Sequence, residues 1–124
     1  MTGCFVTGTG SGVGKTLVSA GLLHALAAHH PRVVGMKPVA AGVVPWGDGW
    51  ASEDALALRA ASTLAVPAAL GNPVLLTEPL PPHIAATREG VQIAISTPLC
   101  AATRRWPRRL TRWWWKALAV FTRR

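Results

Sequence analysis

The chain has 124 residues, half of them hydrophobic, which points to one domain with enough apolar material for a core. Its net charge of +8 fits a nucleic-acid binder at first sight, yet through Leu99 the charges cancel: Lys15, Arg32, Lys37, Arg59 and Arg88 face Asp48, Glu53, Asp54, Glu78 and Glu89. The excess belongs to the remainder, so the first part reads as a near-neutral enzyme domain that binds neither nucleic acid nor membrane. No run of about 18 apolar residues marks a membrane span, and no basic-then-apolar leader precedes the first motif. Cys4 and Cys100 lack CxxC spacing. A cytoplasmic protein is expected.

In chain order, the apolar segment Gly3–Thr7 is expected to form a buried strand. It leads into Gly8-Thr-Gly-Ser-Gly-Val-Gly-Lys-Thr16, a glycine-rich run directly ahead of an apolar, helix-prone stretch. Strand, glycine loop and helix start together make a phosphate-holding device. Loop N–H groups turn toward phosphate oxygens, and the helix N-terminus adds its positive dipole end. In such a loop Lys15 reaches the β- and γ-phosphates, and the Thr16 hydroxyl ligates Mg²⁺. The strict pattern asks for a glycine five residues before Gly14, where Thr9 stands. The loop is therefore one residue longer than the standard, or pivots on Gly10. A plain turn closing strand on helix is the bland alternative; Gly-Lys-Thr at the helix start speaks against it.

Lys15 to about Ala28 is predicted as a helix with Leu17, Leu22, Leu23 and Leu26 as its apolar positions, ended by Pro31. Arg32–Val39 is predicted as a second strand carrying Lys37 at its C-terminal end. Residues Ala40–Ala51, glycine-rich with Pro45 and the isolated Trp46 and Trp50, read as a mobile loop. Ser52 is a plausible N-cap for a helix running through Ala55–Ala61. Asn72-Pro73 opens a turn into the apolar Val74–Leu76. Glu78–Pro82 is a rigid connector, and His83–Glu89 a short helix stopped by Gly90.

Alternating strands and helices with a phosphate loop after the first strand imply an α/β fold, a P-loop NTPase-type doubly wound parallel sheet. Ligands bind at the C-terminal ends of strands in such sheets, which places Lys15, Lys37 and Asp54 to converge on one site. Taken singly, a strand-end lysine usually faces solvent, and an aspartate in a first helical turn usually complements the dipole.

Several segments resemble one family in order and spacing: Phe5-Val-Thr-Gly-Thr9, Val13-Gly-Lys-Thr16, Gly35-Met-Lys-Pro-Val39, Glu53-Asp-Ala-Leu56, Asn72-Pro73, Glu78-Pro79 and Pro82-His83. That family is dethiobiotin synthetase, and the resemblance runs from about Gly3 to Ile93. The lengthened glycine loop is typical of it, and Met-Lys-Pro-Val is its more specific marker. The resemblance implies an ATP- and Mg²⁺-dependent cyclo-ligase that closes the ureido ring of 7,8-diaminononanoate with CO₂ in biotin synthesis. A carbamate forms on one amine, ATP phosphorylates it, and the second amine displaces phosphate. Lys37 and Lys15 are implied as catalytic cations, and Gly12, Val13, Gly14, Lys15, Thr16, Leu17 and Asp54 as nucleotide-binding. Thr16 and Asp54 are implied to hold Mg²⁺. Ala41 takes a substrate-contacting position where the family often has a hydroxyl residue, so that hydrogen bond is lost here. A homodimer with a shared site is also implied.

Past Ile93 the resemblance stops. Arg104–Ala117 places Trp113, Trp114 and Trp115 side by side among arginines, and three consecutive residues cannot share one buried stripe. A membrane-surface peptide and nucleic-acid contact by charge and stacking both fit that composition. The genetic code supplies a third reading. Tryptophan has the single codon TGG and lysine codons begin AA, so Trp113–Ala117 read from third codon bases must give Val-Val-Glu followed by Gly or Ser. That resembles the next strand and glycine turn of the family, with its metal-binding glutamate. A change of reading frame between Ile93 and Thr103 is the expectation. Residues 1–93 are then the N-terminal part of an ATP-binding ligase domain, and 94–124 an out-of-frame tail that is not natively folded. The sheet would be incomplete at the C-terminus and the chain weakly active or inactive. A regulatory or partitioning P-loop ATPase, or a protein working through its basic tail, are the alternatives.

Overall fold

The computed structural model describes residues 6–10 and 12–93. Helix α1 spans Lys15–Ala27 and starts directly behind the glycine loop. Strand β1 (Val39–Ala41) follows, then β2 (Val44–Trp46) and β3 (Gly49–Ala51). Helix α2 (Glu53–Ala60), the short α3 (Ala68–Gly71), strand β4 (Val74–Leu76) and helix α4 (Pro82–Glu89) complete the order. The α2 boundary is set as expected: the Ser52 Oγ accepts the Ala55 N–H at 3.1 Å, with Glu53 and Asp54 in the first turn. At the end of α4, Gly90 takes a left-handed conformation and stops the helix.

β1 and β4 pair in parallel, with Val39 opposite Val74 and Ala41 opposite Leu76. β2 and β3 form a separate antiparallel hairpin. The hairpin corrects the expectation of a loop over residues 40–51. Gly47-Asp48 is a two-residue connection, and Gly47 at φ 58° supplies the positive dihedral that a tight hairpin turn needs. Pairing of Pro45 with Trp50 sets both tryptophans in the ribbon, and the Arg59 guanidinium lies over the Trp46 ring at 5.1 Å.

The strand expected over Arg32–Val39 is also corrected. Residues 32–37 have no ladder partner among the described residues, and regular pairing begins only at Val39. Among the described residues, side-chain hydroxyls bond this main chain at Val33 and Gly35. Val33 N–H donates to Thr63 Oγ1 at 2.7 Å, Gly35 N–H to Ser62 Oγ at 2.8 Å, and Thr63 N–H returns a bond to the Val33 carbonyl at 2.8 Å. Alternation survives without the ladder. Val33 packs with Leu23, Leu58 and Ala61 between α1 and α2, whereas Val34 and Met36 pack with Leu64, Val66 and Leu70. A third cluster, Val74, Leu76, Ala85 and Ala86, joins β4 to α4. These contacts fix α1 against α2; truncating Leu23, 1% exposed, to alanine would cost about 2–5 kcal/mol.

Of the expected first strand, Gly3–Phe5 lie outside the described residues, and Val6–Thr7 are irregular. The 94–124 tail, its frame change, and Cys4 and Cys100 likewise lie outside them. Among the described residues no helix is long and apolar enough to cross a membrane.

Candidate nucleotide site

The glycine loop reaches α1 through Gly12 and Gly14, whose φ values of 72° and 83° lie in the left-handed region. Gly14 is the N-cap of α1 and makes no side-chain capping bond, and no acid sits in the first turn. Among the described residues no side chain caps that turn, and its N–H groups and positive dipole end suit an anion. The Lys15 ammonium folds back onto the loop and donates to the Gly10 carbonyl.

Asp54, in the first turn of α2, joins two groups. The Thr16 hydroxyl donates to its Oδ1 at 2.7 Å, and the Lys37 ammonium pairs with its Oδ2. The Lys37 side chain is only 12% exposed. Burial first, and the Lys15 ammonium second, lower its pKa from 10.5 to about 8. Asp54 opposes that trend without reversing it. Lys37 stands ahead of β1, not at the C-terminal end of a strand as expected. Pro38, with no N–H to give, separates it from the ladder.

These groups line one open cleft of about 860 Å³, the size of a small-molecule site. Gly12, Gly14, Lys15, Thr16, Leu17, Lys37, Asp54 and Ala41 all contribute to its wall. Val13 does not; it is 55% exposed and outside the cleft lining. Leu17 reaches the cleft but is 78% exposed, so its expected apolar position on α1 is not a core position. Pro79 to Pro82 also line the cleft, although in the sequence they are a connector whose ends, Glu78-Pro79 and Pro82-His83, share in the resemblance without any site role. Their signal is positional, because they follow β4 at the strand's C-terminal end. A second cavity, beside Trp46, Trp50 and Arg59, is about 70 Å³ and too small for a nucleotide.

The donor chemistry fits Mg²⁺ and a polyphosphate. Thr16 and Asp54 offer hard oxygen ligands side by side, and Lys15 and Lys37 bring two cations to the same cleft.

The AAA domain family matches residues 2–105. The chain belongs to that family. As an AAA domain it has the mixed α/β architecture with a phosphate loop and parallel strands described above. The family match continues to residue 105, beyond Ile93, where the motif resemblance is expected to stop. The chain is also 52% identical over 91 residues to the ATP-dependent dethiobiotin synthetase BioD of Xanthomonas axonopodis pv. citri (strain 306), covering 73% of this chain and 41% of the relative. The protein of the same name from Xanthomonas euvesicatoria pv. vesicatoria (strain 85-10) matches with the same identity and coverage. This AAA domain chain thus spans about two fifths of the length of the curated relatives it matches.

Proposed function

We propose that this chain carries the phosphate- and metal-gripping part of an ATP-dependent dethiobiotin synthetase, acting on 7,8-diaminononanoate and CO₂. The convergence of Lys15, Thr16, Lys37 and Asp54 on one cleft, in a chain 52% identical over 91 residues to relatives of that name, supports this reading. ATP with Mg²⁺ supplies the phosphoryl group and neutralises its charge. The α1 N-terminus and the glycine loop receive phosphate oxygens. Thr16 and Asp54 hold the metal, and Lys15 stabilises charge developing on the transferred group. Lys37 and Ala41 line the same cleft, and on this reading the Lys37 ammonium steadies the carbamate anion. Ala41 gives that substrate an apolar contact in place of a hydroxyl bond.

The test follows ADP release by the purified chain with ATP, Mg²⁺ and bicarbonate, with and without 7,8-diaminononanoate. Release that depends on the diamine supports the synthetase reading. ATP hydrolysis indifferent to the diamine would instead indicate an ATPase of the partitioning type.

A further inference from the structure

Asn72 does not line the nucleotide cleft, yet it is bonded to the main chain of the residue that matters most there. Its side-chain amide donates to the Lys37 carbonyl at 2.7 Å and to the Val74 carbonyl at 3.0 Å. Both partners are acceptors only, so the amide must present its NH₂ to them. The two carbonyls belong to the parallel segments that become β1 and β4, and each segment enters its strand through a proline, Pro38 and Pro73. Neither proline has an N–H. At this level Pro73 offers no main-chain donor to the Lys37 carbonyl, and Asn72 Nδ2 supplies one. The other side of Lys37 is held as well: its N–H donates to the Gly71 carbonyl at 2.8 Å. Lys37 is thereby gripped at both its N–H and its C=O by two successive residues, Gly71 and Asn72.

We propose that Asn72 is a positioning residue for Lys37, fixing the peptide plane from which the buried ammonium reaches Asp54. This rests on the reading of Lys37 as the working cation of the nucleotide site. Pro38 is tied on its far side, where the Val74 N–H donates to the Pro38 carbonyl at 3.1 Å. Between this bond and the one at the Lys37 N–H, the Lys37 carbonyl has no main-chain donor among the described residues, and the Asn72 amide fixes its direction. Because Lys37 is nearly enclosed and in direct contact with Asp54, a pivot at its backbone moves the ammonium off its partner. Misplacing a functional group by about 1 Å can cost on the order of 100-fold in activity.

A purely structural Asn72 would stabilise the β1–β4 entry without setting Lys37, and spectroscopy separates the two roles. An ammonium that is shielded and ion-paired exchanges its protons slowly enough to give a ¹H–¹⁵N cross-peak, whereas exposed lysines lose theirs. The wild-type chain, which has three lysines, is expected to show this signal for Lys37, assigned by its loss in Lys37→Arg. Asn72→Ala should abolish it and weaken Mg·ATP binding roughly tenfold, the effect of one charge-assisted hydrogen bond. Val74→Ala lowers stability through the core but leaves both carbonyls in place, so it should keep the signal and the affinity. Asn72→Asp, of the same shape but without the donor, should behave like Asn72→Ala. Independently of folding in any variant, the wild-type chain should show scalar coupling across the hydrogen bond from Asn72 Nδ2 to the Lys37 carbonyl carbon. Survival of the Lys37 signal in a folded Asn72→Ala, its equal loss in Val74→Ala, or absence of the coupling would overturn the proposal. Wild-type protein that shows the signal pattern but binds no ATP would remove the nucleotide reading and leave the positioning of Lys37 standing.

Discussion

Thr16 and Asp54, 38 residues apart in sequence, meet in the cleft, the hydroxyl donating to Oδ1 at 2.7 Å. One is in the first turn of α1 and the other in the first turn of α2. The cluster of Leu23, Val33, Leu58 and Ala61 holds those helices together. The pair proposed to hold the metal therefore depends on apolar packing behind it, and each partner can be tested separately.

Removing the hydroxyl should cost the metal and spare the nucleotide. Thr16→Val is expected to weaken ATP binding on the order of tenfold in Mg²⁺, with little change when the metal is chelated. Thr16→Ser, which keeps the oxygen, should retain the metal dependence. Titration with a fluorescent ATP analogue, with Mg²⁺ and with EDTA, measures both.

Lys37 imposes a pH dependence with a definite sign. In the free protein its ammonium is present below a pKa of about 8 and lost above it, whereas the unfolded chain keeps it to about 10.5. Anionic phosphates favour the charged form, so affinity for ATP should fall as pH rises through about 8. Binding at that pH should take up a proton, seen as a calorimetric enthalpy that changes with the buffer's ionisation enthalpy. Stability moves in the opposite sense. Between these two pKa values the unfolded chain holds more protons than the folded one, so the Lys37 contribution to stability rises with pH. Urea unfolding of Lys37→Met should lack that rise.

Ser52 links helix capping to the site. Ser52→Ala removes the acceptor of the Ala55 N–H, which should cost about 1 kcal/mol in urea unfolding. Asp54 lies in the turn that frays, so Mg·ATP affinity should drop several-fold in the same variant. Ser52→Thr, another capping residue, should recover most of both losses. Loss of stability with no change in affinity would show that the cap does not control Asp54.

Much of this arrangement is legible in the sequence because local signals and chemistry agree. The Gly-Lys-Thr ending places α1 and the phosphate loop, Ser52 places α2 and hence Asp54, and Gly90 ends α4. Val33, Val34 and Met36 mislead because a fully buried apolar run looks the same whether its main chain bonds to a strand or, as at Val33 and Gly35, to the hydroxyls of Thr63 and Ser62. Gly47-Asp48 is a hairpin signal concealed among neighbouring glycines that also fit a loop. Asn72 reads as a turn residue before Pro73, since its bond to Lys37 spans 35 residues and leaves no local pattern.

Gly42 should tolerate no side chain. It adopts φ 82°, and a Cβ there would lie 3.2 Å from Pro79 Cβ on the facing cleft wall. Gly42→Ala should therefore cost more than the roughly 1–2 kcal/mol of left-handed strain alone. Gly47→Ala, at φ 58° with open space around it, should cost only the strain. Urea midpoints of the two variants, measured side by side, check the order.

The most direct test of the central claim is calorimetric titration of ATP into the purified chain and into Asp54→Asn, each with Mg²⁺ and with EDTA. The wild-type chain is expected to bind ATP, Mg²⁺ to tighten binding, and Asp54→Asn to lose the metal-dependent gain. A wild-type chain that binds no ATP, or binds it equally with and without Mg²⁺, would contradict that claim.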